Sequence, residues 1–254
     1  MKKLIIFLFA ASLLFSCSKI RQESDTGDLN LENEKTEELE TKQNEEKKIL
    51  QELPKSAKLE AWNLILVNPE IALEPNFSVD LIEVDNEQRL DWRIVDAWNS
   101  WKEDAEKEGH QLFLASAYRD IARQELNFNK TVKDYLNQGL SETDAKEKAK
   151  EYLTEPGHSE HHTGLALDIV DEEWIVAGRG LETDYEKEAS QKWLIETMTD
   201  YGFILRYPKE KEDITMIEYE PWHFRYVGPE HAEFMEKHDL VLEEYIDLIK
   251  EGKS

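Results

Sequence analysis

The sequence predicts an α+β domain, a small and mainly antiparallel sheet flanked by helices, on three observations. Short apolar or alternating runs rich in β-branched and aromatic residues punctuate the second half of the chain. Segments with apolar residues at helical spacing lie between them. The two kinds do not alternate regularly enough for a doubly wound parallel sheet. With 40% hydrophobic and 10% aromatic residues, the chain can build a real core, which excludes global disorder.

Taken in order, Asp91 to Glu108 places Ile94, Trp98, Trp101 and Ala105 on one helical face, and Gly109 stops it. Gln111 to Ala115 reads as a strand, and Arg119 to Asn137 as a second helix. Ser141-Glu-Thr-Asp144 has the form of an N-terminal cap for a helix ending near Leu153. Leu165 to Val170 reads as a strand bordered by Gly164. Glu186 to Tyr201 stacks Ala189, Trp193, Leu194, Met198 and Tyr201 before Gly202. His223 to Val227 is a further strand. Pro229 then opens a helical region whose second part, Leu240 to Lys250, is amphipathic.

The chain ends differently from how it begins. Lys2-Lys3, the apolar run Leu4 to Phe15, and Ser16-Cys17 form a secretory signal over residues 1–16, too short to remain as a spanning helix. With cysteine next to the cut, the segment resembles a bacterial lipoprotein signal, in which Cys17 is lipidated and tethers the protein outside the cytoplasmic membrane. Phe15 is bulkier than the residue usual at its position. From Arg21 to Lys48 acidic residues outnumber basic ones two to one and aromatics are absent, so residues 17–49 are expected to be a solvated acidic tether. One domain is expected over residues 50–254, where Trp, Leu and Ile become dense.

Charge and cysteine usage narrow the chemistry. Fifty-six acidic against 31 basic residues give −25, and −27 once Lys2 and Lys3 are removed; this disfavours a nucleic acid partner. A single cysteine excludes an intramolecular disulfide and any Cys₄ site, so a metal would rest on histidine and carboxylate. Four of the seven histidines fall in two stretches, Pro156 to Asp168 and Glu220-Pro-Trp-His223. A turn through Thr163-Gly164 can aim His161 and Asp168 at one point, with positive φ at Gly164. Glu220 lies near enough to His223 to reach a metal-bound water without ligating the metal. Glu218 is its rival, because two residues along a strand share a face.

Ser159-Glu-His161-His-Thr-Gly164-Leu-Ala166-Leu-Asp168 and Glu220-Pro-Trp-His223 resemble the two signatures of the zinc D-alanyl-D-alanine carboxypeptidases of the VanY type, and Ser116-Ala-Tyr118-Arg119 resembles a segment upstream of them in that family. The resemblance extends from about Trp62 to Gly228. It implies one Zn²⁺ per chain on His161, Asp168 and His223, Glu220 as catalytic base, and Arg119 against the reacting carbonyl. It also implies hydrolysis of the terminal D-Ala-D-Ala bond of peptidoglycan stem peptides. L,D-carboxypeptidase or endopeptidase action at the same site is the alternative, and a non-catalytic wall-peptide-binding lipoprotein is the rival of another class. Arg119, Gln124 and Ser159 are candidate anchors for the substrate carboxylate, with Tyr118 and Trp222 as candidate walls. His158 and His162 are expected to support the site or lie at the surface, and His110, His231 and His238 to be solvated. No protein partner is expected.

Overall fold

The computed structural model describes residues 47–252; the signal segment, Cys17 and the tether as far as residue 46 lie outside them. From Lys48 onward the described residues form one compact unit. Its centre is a four-stranded antiparallel sheet in the order β3-β4-β6-β5, formed by β3 (Leu112–Ser116), β4 (Ala166–Asp171), β5 (Phe203–Leu205) and β6 (His223–Tyr226). A separate hairpin pairs β1 (Leu81–Glu83) with β2 (Arg89–Asp91). The fold is therefore α+β with small antiparallel sheets. Strand β5 and the hairpin, each strand three residues long, are additions to what the apolar pattern indicated.

One face of the sheet builds the main core. Leu167 and Ile169 of β4, Phe224 of β6 and Phe203 of β5 pack against α2 (Val95–Lys107), which contributes Trp98, Trp101 and Ala105, with Ile94 just before it. Trp101 has no exposed surface. It stacks on Phe203 at 4.9 Å, meets Phe224 edge-on at 5.3 Å, and donates its indole N–H to Thr197 Oγ1 at 2.9 Å. Such a side chain supplies both a large buried area and a satisfied polar tip.

The opposite face is polar. The period-two alternation of a strand sends Asp168 away from Leu167 and Ile169, and sends His223 and Arg225 away from Phe224. Antiparallel register sets Ala166 opposite Arg225 and Asp168 opposite His223. On the other side of β4, a register shift between Leu114 and Ser116 brings Ser116 opposite Asp168. Ser116, Asp168 and His223 thus form one row across three strands.

Helices α3 (Ile121–Asn137) and α4 (Glu142–Lys150) form a satellite layer through Phe128, Val132, Ala145 and Ala149. Asp120 and Ser141 cap them by accepting from the amides of Arg123 and Asp144. At the other end, α8 (Pro229–Lys237) and α9 (Leu242–Gly252) bury Phe234, Met235, Tyr245 and Ile249 against Leu64 and Val227. Helical residues 47–52 add Ile49 and Leu50 to that cluster. The expected tether therefore ends in helix. No helix among the described residues is long and apolar enough to cross a membrane.

Candidate active site

His161 lies in a 3-10 turn, Glu160–Thr163, closed by Gly164 at φ 72°. A Cβ there would come within 3.0 Å of the Asp91 backbone nitrogen, so the turn needs glycine for space as well as for conformation. His161 Nδ1 donates to the Ala117 carbonyl at 2.7 Å. A carbonyl can only accept, so Nε2 carries the lone pair, and it lies 3.3 Å from Asp168 Oδ2. His223 Nδ1 lies 3.0 Å from Asp168 Oδ1 and 3.4 Å from Glu220 Oε2.

His161, Asp168 and His223 are all buried, and one ligand atom from each lies within 4.8 Å of the other two. Asp168 Oδ1 has no hydrogen-bond partner despite its burial. A buried carboxylate set between two imidazoles, with one of its oxygens orphaned, is the arrangement a divalent ion satisfies. Two histidines and one carboxylate, with a fourth direction open to a cleft, match the donor set of catalytic zinc.

The electrostatics agree with that fit. Burial pushes His161 down, so it is neutral and ready to ligate. Burial also works against charge on His223, but the Asp168 and Glu160 carboxylates outweigh it and raise its pKa to about 9 when no metal is bound. Burial raises Glu220 to about 8, with Asp168 adding to the effect.

Glu220 and His223 belong to one turn, in which the His223 amide donates to the Glu220 carbonyl at 3.2 Å. There is no strand before His223 to put Glu218 on the same face. Glu218 is exposed and its amide bonds Glu151, whereas Glu220 is buried and lines the cleft. The equivalence expected from strand periodicity is thereby removed in favour of Glu220.

Arg119 follows β3 and enters the same cleft. Its guanidinium donates to Gln124 Oε1 at 2.8 Å and Ser116 Oγ at 2.9 Å, and stands 3.8 Å from Asp168. Its backbone is fixed from both sides: the amide donates to His161 O at 3.1 Å, and the carbonyl accepts from His162 Nδ1 at 2.6 Å. His162 is buried, and its Nε2 accepts from the Gly157 amide. It therefore supports the site without entering it. His158 holds the Asn68 carbonyl.

The cleft has a volume of about 430 Å³. Ser159, Gln124 and Trp222 line it, with Tyr152 to Thr154, Leu181 to Thr183 and Ile217. Gln124 is completely buried and committed at both ends, since its Nε2 donates to Thr154 O at 2.6 Å. It braces Arg119 rather than offering a free amide. Trp222 is both wall and core.

Tyr118 is not part of the lining. Past the end of β3 it belongs to Arg89 of the hairpin, whose carbonyl accepts from the Tyr118 amide at 2.9 Å and whose guanidinium covers the Tyr118 ring at 5.1 Å. His231 also departs from expectation, because it is buried and bonded to Tyr245 at 2.7 Å and Ser56 at 3.2 Å instead of being solvated. His238 is partly covered beside Glu52, and His110 packs near Trp193.

Two residues that sequence reasoning passed over belong to the site. Tyr207 is buried in the cleft, its ring 4.7 Å from that of His223. Glu160, next to a ligand in sequence, is buried behind His223. Only the adjacency of Glu160 to His161 hinted at either.

Fold and site together define a metallopeptidase of the catalytic-zinc class. The family model described as VanY, D-alanyl-D-alanine carboxypeptidase, matches residues 87–229. A D-alanyl-D-alanine carboxypeptidase of Enterococcus faecalis is 34% identical over 189 residues, covering 74% of this chain and 67% of that one. Among solved structures, a vancomycin resistance D,D-pentapeptidase VanY in complex with Zn(II) is 34% identical, with a TM-score of 0.66 over 73% of this chain and 99% of its own. The LdcB LD-carboxypeptidase is 38% identical, with a TM-score of 0.62 over 73% and 86%. The chain belongs to the VanY family of D-alanyl-D-alanine carboxypeptidases and is a zinc metallopeptidase.

Proposed function

We propose that the protein is a D,D-carboxypeptidase that removes the terminal D-Ala of peptidoglycan stem peptides, with His161, Asp168 and His223 holding its zinc. The observation that carries this reading is the buried triad with Glu220 beside it and Arg119 across the same cleft. Zinc, when bound, polarises a carbonyl and makes water acidic near neutral pH. Glu220 takes the proton of the attacking water and later gives it to the leaving amine, a role its raised pKa suits. Arg119, pre-set by Ser116 and Gln124, stabilises the negative charge that develops on the carbonyl oxygen. Ser159 is an anchor for the substrate carboxylate, and Trp222 walls the pocket.

The D,D preference is supported by the Enterococcus faecalis relative and the VanY structure, both named for D,D or D-Ala-D-Ala chemistry. The L,D-carboxypeptidase neighbour of similar identity supports a second reading, action on a tetrapeptide. Mass spectrometry of products from defined penta- and tetrapeptides, with and without zinc, tests both. D-Ala released from the pentapeptide supports the D,D reading. Release from the tetrapeptide alone supports the second reading, internal cleavage means an endopeptidase, and binding without turnover means a wall-peptide-binding protein. Glu220→Gln should retain zinc and lose about 10²- to 10⁴-fold in turnover; loss of zinc in that variant would mean Glu220 is misassigned.

The reading places the enzyme outside the cytoplasmic membrane, lipid-anchored at Cys17. The charged and apolar run before that cysteine supports this. Labelling with a radioactive fatty acid should mark the wild type and not Cys17→Ala.

A further inference from the structure

His223 is flanked by carboxylates on both ring nitrogens, and only one side is the cleft. Nδ1 faces Asp168 and Glu220, while Nε2 lies 3.5 Å from Glu160 Oε2. Both His223 Nε2 and Glu160 Oε2 are buried without a hydrogen-bond partner. The gap is a few tenths of an ångström beyond a normal hydrogen bond, which a small rotation of the imidazole closes.

The other oxygen of Glu160 is firmly held. Oε1 accepts from Arg206 Nε and Arg225 Nη1, each at 2.7 Å, and all three side chains are fully buried. Arg206 continues through a two-point contact to Glu243 of α9 at 2.6 and 2.8 Å, and Arg225 bonds the Ile65 carbonyl at 2.8 Å. A buried ion network is weak evidence for stability, because packed apolar groups would serve as well. What the network does provide is an acceptor fixed by two guanidiniums and aimed at the back of His223.

We propose that Glu160 is a positioning residue of the metal site: it accepts the Nε2 proton of His223 and so fixes that ring with its Nδ1 lone pair toward Asp168 and His161. The inference rests on His223 being a zinc ligand. A neutral imidazole has one N–H and one lone pair, so an acceptor behind Nε2 selects the tautomer that ligates through Nδ1. A single 3-10 turn thereby supplies one ligand, His161, and the orienting group for another.

Glu160→Gln is a sharp probe. The two arginines claim the amide oxygen, which turns the NH₂ group toward Nε2 and favours the tautomer with its proton on Nδ1. Zinc affinity, measured by chelator competition, should fall about 10- to 100-fold. Long-range ¹H–¹⁵N spectra of the zinc-loaded wild type should show His223 protonated at Nε2. A folded Glu160→Gln variant with wild-type affinity would overturn the inference while leaving the zinc site standing. Should the variant not fold, a wild-type Nε2 proton that is absent, or that lacks the downfield shift of a hydrogen bond to a carboxylate, would overturn it, and one with that shift supports it. A wild-type protein that binds no zinc would remove the site assignment itself. A purely structural Glu160 would leave the ring's proton where it is.

Discussion

Replacing Gln124 with alanine separates bracing from substrate contact. Gln124 is buried, and its two amide atoms are used on Arg119 at 2.8 Å and Thr154 at 2.6 Å. The substitution removes one hydrogen bond to a charged group, worth about 1.5–3 kcal/mol. If that loss falls entirely on the transition state through a looser Arg119, kcat/KM drops about 10- to 150-fold, at 1.36 kcal/mol per factor of ten. The Thr154 carbonyl also loses its donor, at a cost of about 1–3 kcal/mol in stability. D-Ala release from a pentapeptide and urea unfolding read the two effects separately. The decisive comparison is the double variant with Arg119→Ala. A residue that acts only through Arg119 should add little once Arg119 is gone. Activity falling by the product of the two single effects would refute the bracing argument and make Gln124 a direct substrate contact.

Other consequences concern protons and packing. His223 is raised to about 9 without metal, so at pH 7 it must release a proton when zinc binds. Zinc affinity should therefore climb with pH up to about 9, and calorimetry in buffers of different ionisation enthalpy should detect that proton. Glu160 is held far below its ordinary value of 4.5, so its stabilising contribution is full above that pH and is lost progressively as pH falls below it toward the folded-state value. Urea unfolding of the metal-free protein should accordingly weaken from pH 7 to pH 3, and less steeply in Glu160→Gln. Trp101→Ala should cost about 3–5 kcal/mol by thermal or urea unfolding, because its neighbours cannot collapse into so large a space.

The chemistry of the site was more legible in the sequence than its surroundings. His161, Asp168, Glu220 and His223 sit in two short stretches, so local spacing carries them. Helix α2 was equally clear, since Trp98, Trp101 and Ala105 repeat along one face. Tyr118 was expected to wall the pocket, and its engagement by Arg89, 29 residues earlier in sequence, is a contact no local residue pattern announces. Spacing alone did not separate Glu218 from Glu220 while the segment was taken for a strand; the family signature favoured Glu220. The place of Glu160 depends on Arg206 and Arg225, which are 46 and 65 residues away in sequence and meet it only in the folded chain. His231 belongs with these, its surroundings being made by Ser56 and Tyr245.

The direct pairing of Asp168 with His223 makes the centre of the sheet a gauge of its own alignment. A slip of one residue would set Phe224 against Asp168 and turn the imidazole into the apolar core. Between these paired strands the chain makes a long excursion that brings Leu181, Glu182, Thr183 and Ile217 to the lining of the cleft. Because the two strands are clasped at its base, the outer loops of that excursion can be lengthened or rewritten without moving the ligands. Preference for one wall peptide over another can thus be altered there, separately from the machinery that breaks the bond.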